Sequence, residues 1–198
     1  MGTRDRNFVE PPWTAPLDVA ATLRAIPETA TVAGLFLEPI VAAARKVGKT
    51  LPSARERYVA FRFYPLREHA QLLVEASSRL YPELPLRIAL RKLGRAAPAA
   101  LVASTLGKVV LGSASGAEEV LSALVKAYPI NVRPCELQIK ELTRGRAIIS
   151  IQQLHFFLDC HHVGAFEGAL RYAGLRGEVA ICSYSNSEAD LRCTWSET

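Results

Sequence analysis

The sequence predicts an α+β fold, in which N-terminal helices pack on an antiparallel sheet of about four strands from two hairpins separated by a helix. Three observations carry this prediction. Apolar residues recur every three to four positions through the N-terminal two thirds of the chain, as amphipathic helices require. From Cys135 the period changes to two, with Cys135, Leu137 and Ile139 alternating with Glu136, Gln138 and Lys140. Helical spacing then returns once, between two strand pairs, so the strands close as hairpins and not through parallel crossovers.

The elements follow in order. Residues 1–16, with Pro11, Pro12 and Pro16, form an extended or flexible arm, and residues 17–198 a single α+β domain. Asp18 caps a short segment that ends at Ile26 before Pro27. The stretch TVAGLFLEPIVAAARKVG is helical from about Leu35 to Val47, with Pro39 in its first turn and Gly48 as its stop. RYVAFRFYP, rich in β-branched and aromatic residues, is a short strand or an extended connector. Leu66, Ala70, Leu73, Val74, Ser77 and Leu80 then lie on one helical face until Pro82. Pro85 opens a longer helix that carries Arg87, Arg91 and Arg95 on one side, and Pro98 is expected to kink or divide it. Ser115-Gly116-Ala117-Glu118 is a capping-box pattern. It starts a helix with Val120, Leu121, Leu124, Val125 and Tyr128 inward, ended by Pro129. Cys135–Lys140 and Arg146–Ile151 form the first hairpin around Thr143-Arg144-Gly145. A helix spans 155–173 and stops at Gly174. Glu178–Tyr184 and Leu191–Trp195 form the second hairpin.

Composition narrows the function classes. The chain has 198 residues, 49% of them hydrophobic and 22% charged, the balance of an ordinary globular domain able to build one core. No apolar run reaches membrane-spanning length, and the start MGTRDRNFVEPPW lacks the apolar core of a secretory signal. Four cysteines at irregular spacing do not resemble a disulfide framework, so a cytoplasmic location is expected. The net charge of +5 sits in the N-terminal half, chiefly in two stretches: Arg45 to Arg67, with Glu56 as its one acid, and Arg87 to Arg95, with none. These are solvated faces, or they meet a protein partner or an anionic surface. Nucleic acid is not expected, since no zinc-finger spacing, RNP segment or helix-turn-helix pair is present.

No GxSxG, P-loop, GxGxxG or HExxH motif occurs, and no enzyme activity is expected. The densest group of reactive side chains is Asp159-Cys160-His161-His162 with Glu167. Cys160 and His161, being sequential, diverge by about 100° on a helix and do not suit mutual activation. A zinc reading joins Cys160, Cys182 and Cys193 with His161, His162 or Glu178, the three thiols lying together beneath the second hairpin. Strand parity allows Cys182 and Cys193 to meet only if that hairpin pairs residues around a loop at 186–189. If Val179 and Ile181 share the face of Leu191, the thiols point to opposite sides.

The C-terminal stretch resembles the closing motif of the vinyl-4-reductase domain and, more distantly, the TRAPP and heme-nitric-oxide-binding folds. The matching features are Cys160, Gly164 with Gly168, Gly174 with Gly177, Cys182, the loop 185–189, and Cys193 with Trp195. The whole chain, including GLFLEPIVAAARKVG and YPLREHAQLLVEASSRLYP, resembles a myxobacterial paralogous family of uncharacterised function near that superfamily. The resemblance implies an α+β fold, frequent dimers, and a pocket between helices and sheet for small apolar ligands, with no catalytic machinery. Its heme-binding branch carries a Tyr-x-Ser-x-Arg string. Here the nearest string is Tyr184-Ser185-Asn186-Ser187-Glu188, so heme is not expected, with His69 and His155 as the remaining axial candidates. The expectation is therefore a non-enzymatic regulatory or sensory module, homodimeric, binding a small apolar ligand or a partner protein without a cofactor. The alternatives are zinc in the cysteine set and a ligand-free TRAPP-like adaptor.

Overall fold

The computed structural model describes residues 6–102 and 114–196. The first helix, α1 (Val19–Ala25), begins where the Asp18 carboxylate accepts a 2.8 Å hydrogen bond from the Ala21 N–H. The apolar stretch that follows divides. β1 (Thr31–Ala33) leads through a 3-10 turn at Gly34–Phe36 into α2 (Glu38–Lys46), with Pro39 in its first turn and Gly48 beyond its end at φ +69°. Of the segment 57–65 only Phe63–Pro65 is a strand, β2. Next come α3 (Leu66–Leu80) and α4 (Leu86–Val102).

Two prolines act less strongly than their type suggests. α4 runs through Pro98 without division. α5 (Gly116–Asn131) continues past Pro129, which falls in its last turn, where a single backbone bond is lost. At the start of α5 the side chain that reaches back to Ser115 is Glu119, at 2.8 Å from the Ser115 N–H, and not Glu118.

β3 (Val132–Arg133) precedes β4 (Glu136–Thr143) and β5 (Arg146–Gln152), joined at a tight turn where Gly145 takes φ +81°. The expected helix over 155–173 begins later and differently. Phe157 adopts a left-handed conformation, a π-helical turn covers Leu158–His162, and α6 covers Val163–Tyr172. The final hairpin is β6 (Arg176–Ser183) and β7 (Ala189–Ser196). The predicted four-stranded antiparallel sheet forms in the order β4-β5-β7-β6, its two hairpins joined through β5 and β7. A second antiparallel sheet, β2-β1-β3, was not legible, because strands of two or three residues are too short to show alternation.

The arm is bound to the body over residues 6–16, without regular structure to Pro12 and turning at Trp13–Ala15. Val9 exchanges two backbone hydrogen bonds with Ile181 on the edge strand β6, at 2.9 and 3.0 Å. The Arg91 guanidinium lies 3.5 Å from the centre of the Trp13 ring. Residues 1–5 lie outside the described residues, as do 103–111 of the apolar stretch 84–111 that motivated the expected homodimer. Among the described residues no helix is long and apolar enough to cross a membrane.

The tightest packing is between α4 and α6. Cβ atoms built on Gly164 and Gly168 would lie 2.2 and 2.4 Å from the backbone oxygens of Arg91 and Arg95. One on Gly94 would lie 2.0 Å from the His161 oxygen. The two backbones touch directly, and only glycine permits it. Glu167, on the same face of α6, accepts from Arg91 Nε at 2.8 Å and Arg95 Nε at 2.6 Å, with Arg91 Nη2 as a further donor. Arg87 pairs with Asp159 of the π-turn. The second basic stretch is thus no free cationic face, since three of its four cations pair with carboxylates of the π-turn and α6. Gly164→Ala in an ordinary helix would gain about 1 kcal/mol of propensity. Here it is expected to cost about 1–3 kcal/mol, because the opposing atoms are backbone. Urea unfolding of the variant beside wild type reads the sign.

Candidate functional site

The face of the sheet and the helices above it enclose an apolar cavity of about 50 Å³. Leu137 and Ile151 come from the sheet, Ala97 and Pro98 from α4, Leu124 and Tyr128 from α5, and Phe36 from the 3-10 turn. The same measure assigns a water roughly 10–15 Å³, so the space suits a molecule of a few heavy atoms. Three histidines line it: His69 from α3, and His161 and His162 from the π-turn.

The π-turn explains how two sequential histidines reach one cavity. Its wider winding closes on a 3.2 Å bond from the His162 N–H to the Phe157 carbonyl, and it presents both imidazoles inward. The His161 and His162 rings stand 5.2 Å apart, and the His69 and His161 rings 6.4 Å apart. Phe156 packs edge-on against His162 at 4.7 Å.

The three imidazoles differ in what they bind. His162 is satisfied on both nitrogens. Its Nδ1 lies 3.2 Å from the Phe157 carbonyl, which can only accept, so Nδ1 carries the proton and Nε2 accepts from the Tyr128 hydroxyl at 2.8 Å. His69 and His161 each leave Nδ1 buried without a partner among the described residues. Burial holds all three neutral. It lowers His69 to about 3, with the nearby His161 adding to it. It lowers His161 to about 4, against a hydrogen bond to the Leu90 backbone. It takes His162 well below the ordinary value, with His161 again contributing. Two of the three histidines that line the cavity thus carry a buried, uncharged Nδ1 with no hydrogen-bond partner among the described residues.

The expected zinc set does not assemble. β6 and β7 pair Val179 with Cys193, Ile181 with Leu191, and Cys182 with Asp190. Cys193 therefore faces the core with Val179 and Ile181, and Cys182 faces the other side, the second of the two arrangements that parity allowed. Cys160 is buried, with its Sγ 3.8 Å from the Phe157 carbonyl, and both His162 nitrogens are taken. Burial raises the Cys160 thiol far above its ordinary value and Cys193 to about 12, where Glu167 adds to the effect. Among the described residues no group of three His, Cys, Asp or Glu suits a metal ion.

Of the two expected axial candidates, only His69 reaches the cavity. His155 lines a separate cleft of about 350 Å³ with Arg87 and Asp159. The string Tyr184–Glu188 forms the β6–β7 turn, where the Tyr184 and Ser185 N–H groups donate to the Glu188 carbonyl. Tyr128 was missed as a site residue, and His161 entered only as a possible zinc ligand. The available signal was that three of the four histidines lie in apolar segments of buried helices.

A family described as "Protein of unknown function (DUF2378)" matches residues 25–196. No curated protein matches. Among solved structures, the chain is similar to an Fe(II) unliganded H-NOX protein mutant from K. algicida, at 11% identity and TM-score 0.64, over 84% of this chain and 97% of that one. It is similar to an Fe(II) H-NOX mutant from S. oneidensis at 11% identity and TM-score 0.65, over 83% and 96%. A mutant of T. tengcongensis H-NOX matches at 10% identity and TM-score 0.52, over 90% and 96%. These likenesses show a fold shared with the H-NOX proteins. They correct one expectation: the departure at Tyr184–Glu188 is no ground for setting heme aside when the fold is shared with proteins solved as Fe(II) and Fe(II)NO forms.

The buried imidazoles make stability pH-dependent. Their folded values lie below the unfolded 6.5, so below that pH the unfolded chain takes up protons that the folded chain refuses. Stability is full above about pH 6.5 and falls as pH drops toward the folded values. The slope approaches about 1.4 kcal/mol per pH unit for each histidine. Urea midpoints at pH 7.5 and 5 are expected to differ less for His69→Leu than for wild type.

Proposed function

We propose that this chain, which belongs to the DUF2378 family of proteins of unknown function, is a non-enzymatic sensory module that holds a small ligand in its apolar cavity, with an iron porphyrin as the cofactor. The observation that carries this reading is the pair of buried, neutral imidazoles, His69 and His161, whose Nδ1 atoms have no partner among the described residues. An unpartnered buried polar atom costs on the order of 1–3 kcal/mol, and two in one cavity call for a function. The Fe(II) forms in which the H-NOX neighbours were solved support iron as the metal.

The residues present meet two demands of that cofactor. Neutral imidazole is a suitable axial donor for iron. The aromatic and aliphatic walls, with Phe36, Leu124 and Phe166 among them, suit a porphyrin face, but a cavity of about 50 Å³ is far smaller than a porphyrin, so the helices over it must part to admit one. None of the described lining residues is Lys or Arg, so the carboxylates of such a cofactor find no counter-ion within the cavity. When bound, the iron supplies a coordination position for a small gas. The chain itself contributes dry walls, an uncharged donor and the Tyr128–His162 pair that fixes the second histidine beside it. The small volume supports a second reading, in which a molecule of a few heavy atoms occupies the cavity without iron.

Reconstitution tests the first reading. Purified protein titrated with hemin and reduced with dithionite is expected to show the sharpened Soret band of histidine-ligated iron. His69→Ala or His161→Ala should shift or abolish it, while His155→Ala leaves it unchanged. A spectrum identical in all three variants rejects ligation in the cavity. A protein that neither takes up hemin nor binds small apolar probes would return the chain to the adaptor class.

A further inference from the structure

The first basic stretch contains a ribbon that the cavity does not explain. Residues 59–63 (Val59, Ala60, Phe61, Arg62, Phe63) are all exposed, Phe61 at 70% and Val59 at 49%. Exposed apolar side chains in a loop usually accompany a mobile backbone, yet here the backbone is anchored. Gly34 N–H donates to the Arg62 carbonyl at 2.9 Å, Leu35 N–H to Ala60 at 3.0 Å, and Val59 N–H to the Tyr64 hydroxyl at 2.9 Å. A Cβ on Gly34 would lie 2.2 Å from the Val59 oxygen, so the ribbon rests on the 3-10 turn at backbone contact. Fixing the main chain while directing Phe61 into solvent is what a presented anchor requires.

Its surroundings are cationic. Arg45 bonds the Glu56 carbonyl at 2.8 Å and lies near Glu38, and the Tyr58 N–H reaches Glu38, so the ribbon runs alongside α2. The nearby acids Glu38 and Glu68 are engaged by Arg45 and Arg55. Lys46, Lys49, Arg57 and Arg62 have no carboxylate partner among the described residues, and Val47, 57% exposed, follows Lys46 at the end of α2. Glu56 is the one acid between Arg45 and Arg67.

We propose that this ribbon, from the end of α2 to Phe63, is a peripheral docking surface for an anionic phospholipid bilayer, with Phe61 and Val59 entering the interface and Lys46, Lys49, Arg57 and Arg62 meeting the headgroups. Charge complementarity selects an anionic partner. The aliphatic members of the patch favour lipid over nucleic acid, because Val47 and Val59 offer no face on which a base stacks but do partition into an acyl boundary. Each cation near such a surface contributes about five-fold in affinity. Two apolar anchors with four cations make a reversible attachment, and its strength falls with salt. The surface does not depend on what the cavity holds.

Vesicle co-sedimentation of the full chain tests this. Wild type is expected to sediment with phosphatidylcholine vesicles containing about 30% phosphatidylserine and not with phosphatidylcholine alone, and high salt should release it. Arg57→Glu/Arg62→Glu should weaken binding at least tenfold, and Phe61→Ser should weaken it severalfold. Both change exposed side chains, so an unchanged thermal midpoint shows that the fold survives. Failure of wild type to sediment, equal binding by either variant, or tighter binding to a single-stranded DNA oligonucleotide than to the anionic vesicles would each overturn the proposal.

Discussion

The direct contact between the backbones of α4 and α6 is the constraint on which the rest depends. Gly94, Gly164 and Gly168 remove every side-chain atom from the crossing, and the helices approach until carbonyl oxygens fill the space that Cβ atoms would need. Glu167 is largely buried beside this crossing, and its desolvation opposes its charge. Arg91 and Arg95 outweigh that burial and hold the carboxyl below its ordinary value. The ion pairs and the glycines need each other. Without the close approach the arginines would be surface groups of little worth, and without them a buried carboxylate would drive the helices apart.

From this crossing the cavity inherits its shape. The His161 carbonyl packs where a Gly94 side chain would be, so the π-turn is held against α4 by the same device that joins α4 to α6. Arg87 reaches from α4 to Asp159 at the start of that turn, and it also donates to the Ala15 carbonyl of the arm at 2.9 Å. One helix thus fixes the arm on one side and the two histidines on the other. A shift of α4, driven by whatever occupies the cavity, would be felt at Trp13 and at the edge strand where Val9 pairs.

The two basic stretches, alike in composition, have different physical fates. In the second, Arg87, Arg91 and Arg95 repeat every four residues and meet carboxylates on the π-turn and α6. In the first, Arg55 is spent on Glu68, whose carboxyl it holds below the ordinary value, while Tyr58 donates to the same carboxylate at 2.6 Å. Arg45 and Arg67 bond backbone carbonyls, while Lys46, Lys49, Arg57 and Arg62 are exposed. Composition gave the same reading for both, and only the position of the acids on distant elements separated structure from surface.

The sequence by itself determined the class of fold, the four-stranded sheet and the ends of most helices, because these follow from local signals: period, caps such as Asp18, and turn glycines such as Gly145. It also restricted the second hairpin to two registers, with opposite consequences for Cys182 and Cys193. Tertiary structure decided the register, since it depends on which face the core claims, and with it the fate of the metal set. Tertiary structure also decided the site. Phe157 in a left-handed conformation and the π-turn after it have no sequence signature, yet they bring His161 and His162 to the same cavity as His69, which comes from a helix some ninety residues earlier. Contacts across that separation depend on packing, and the burial that keeps the imidazoles neutral exists only once the helices have closed over them.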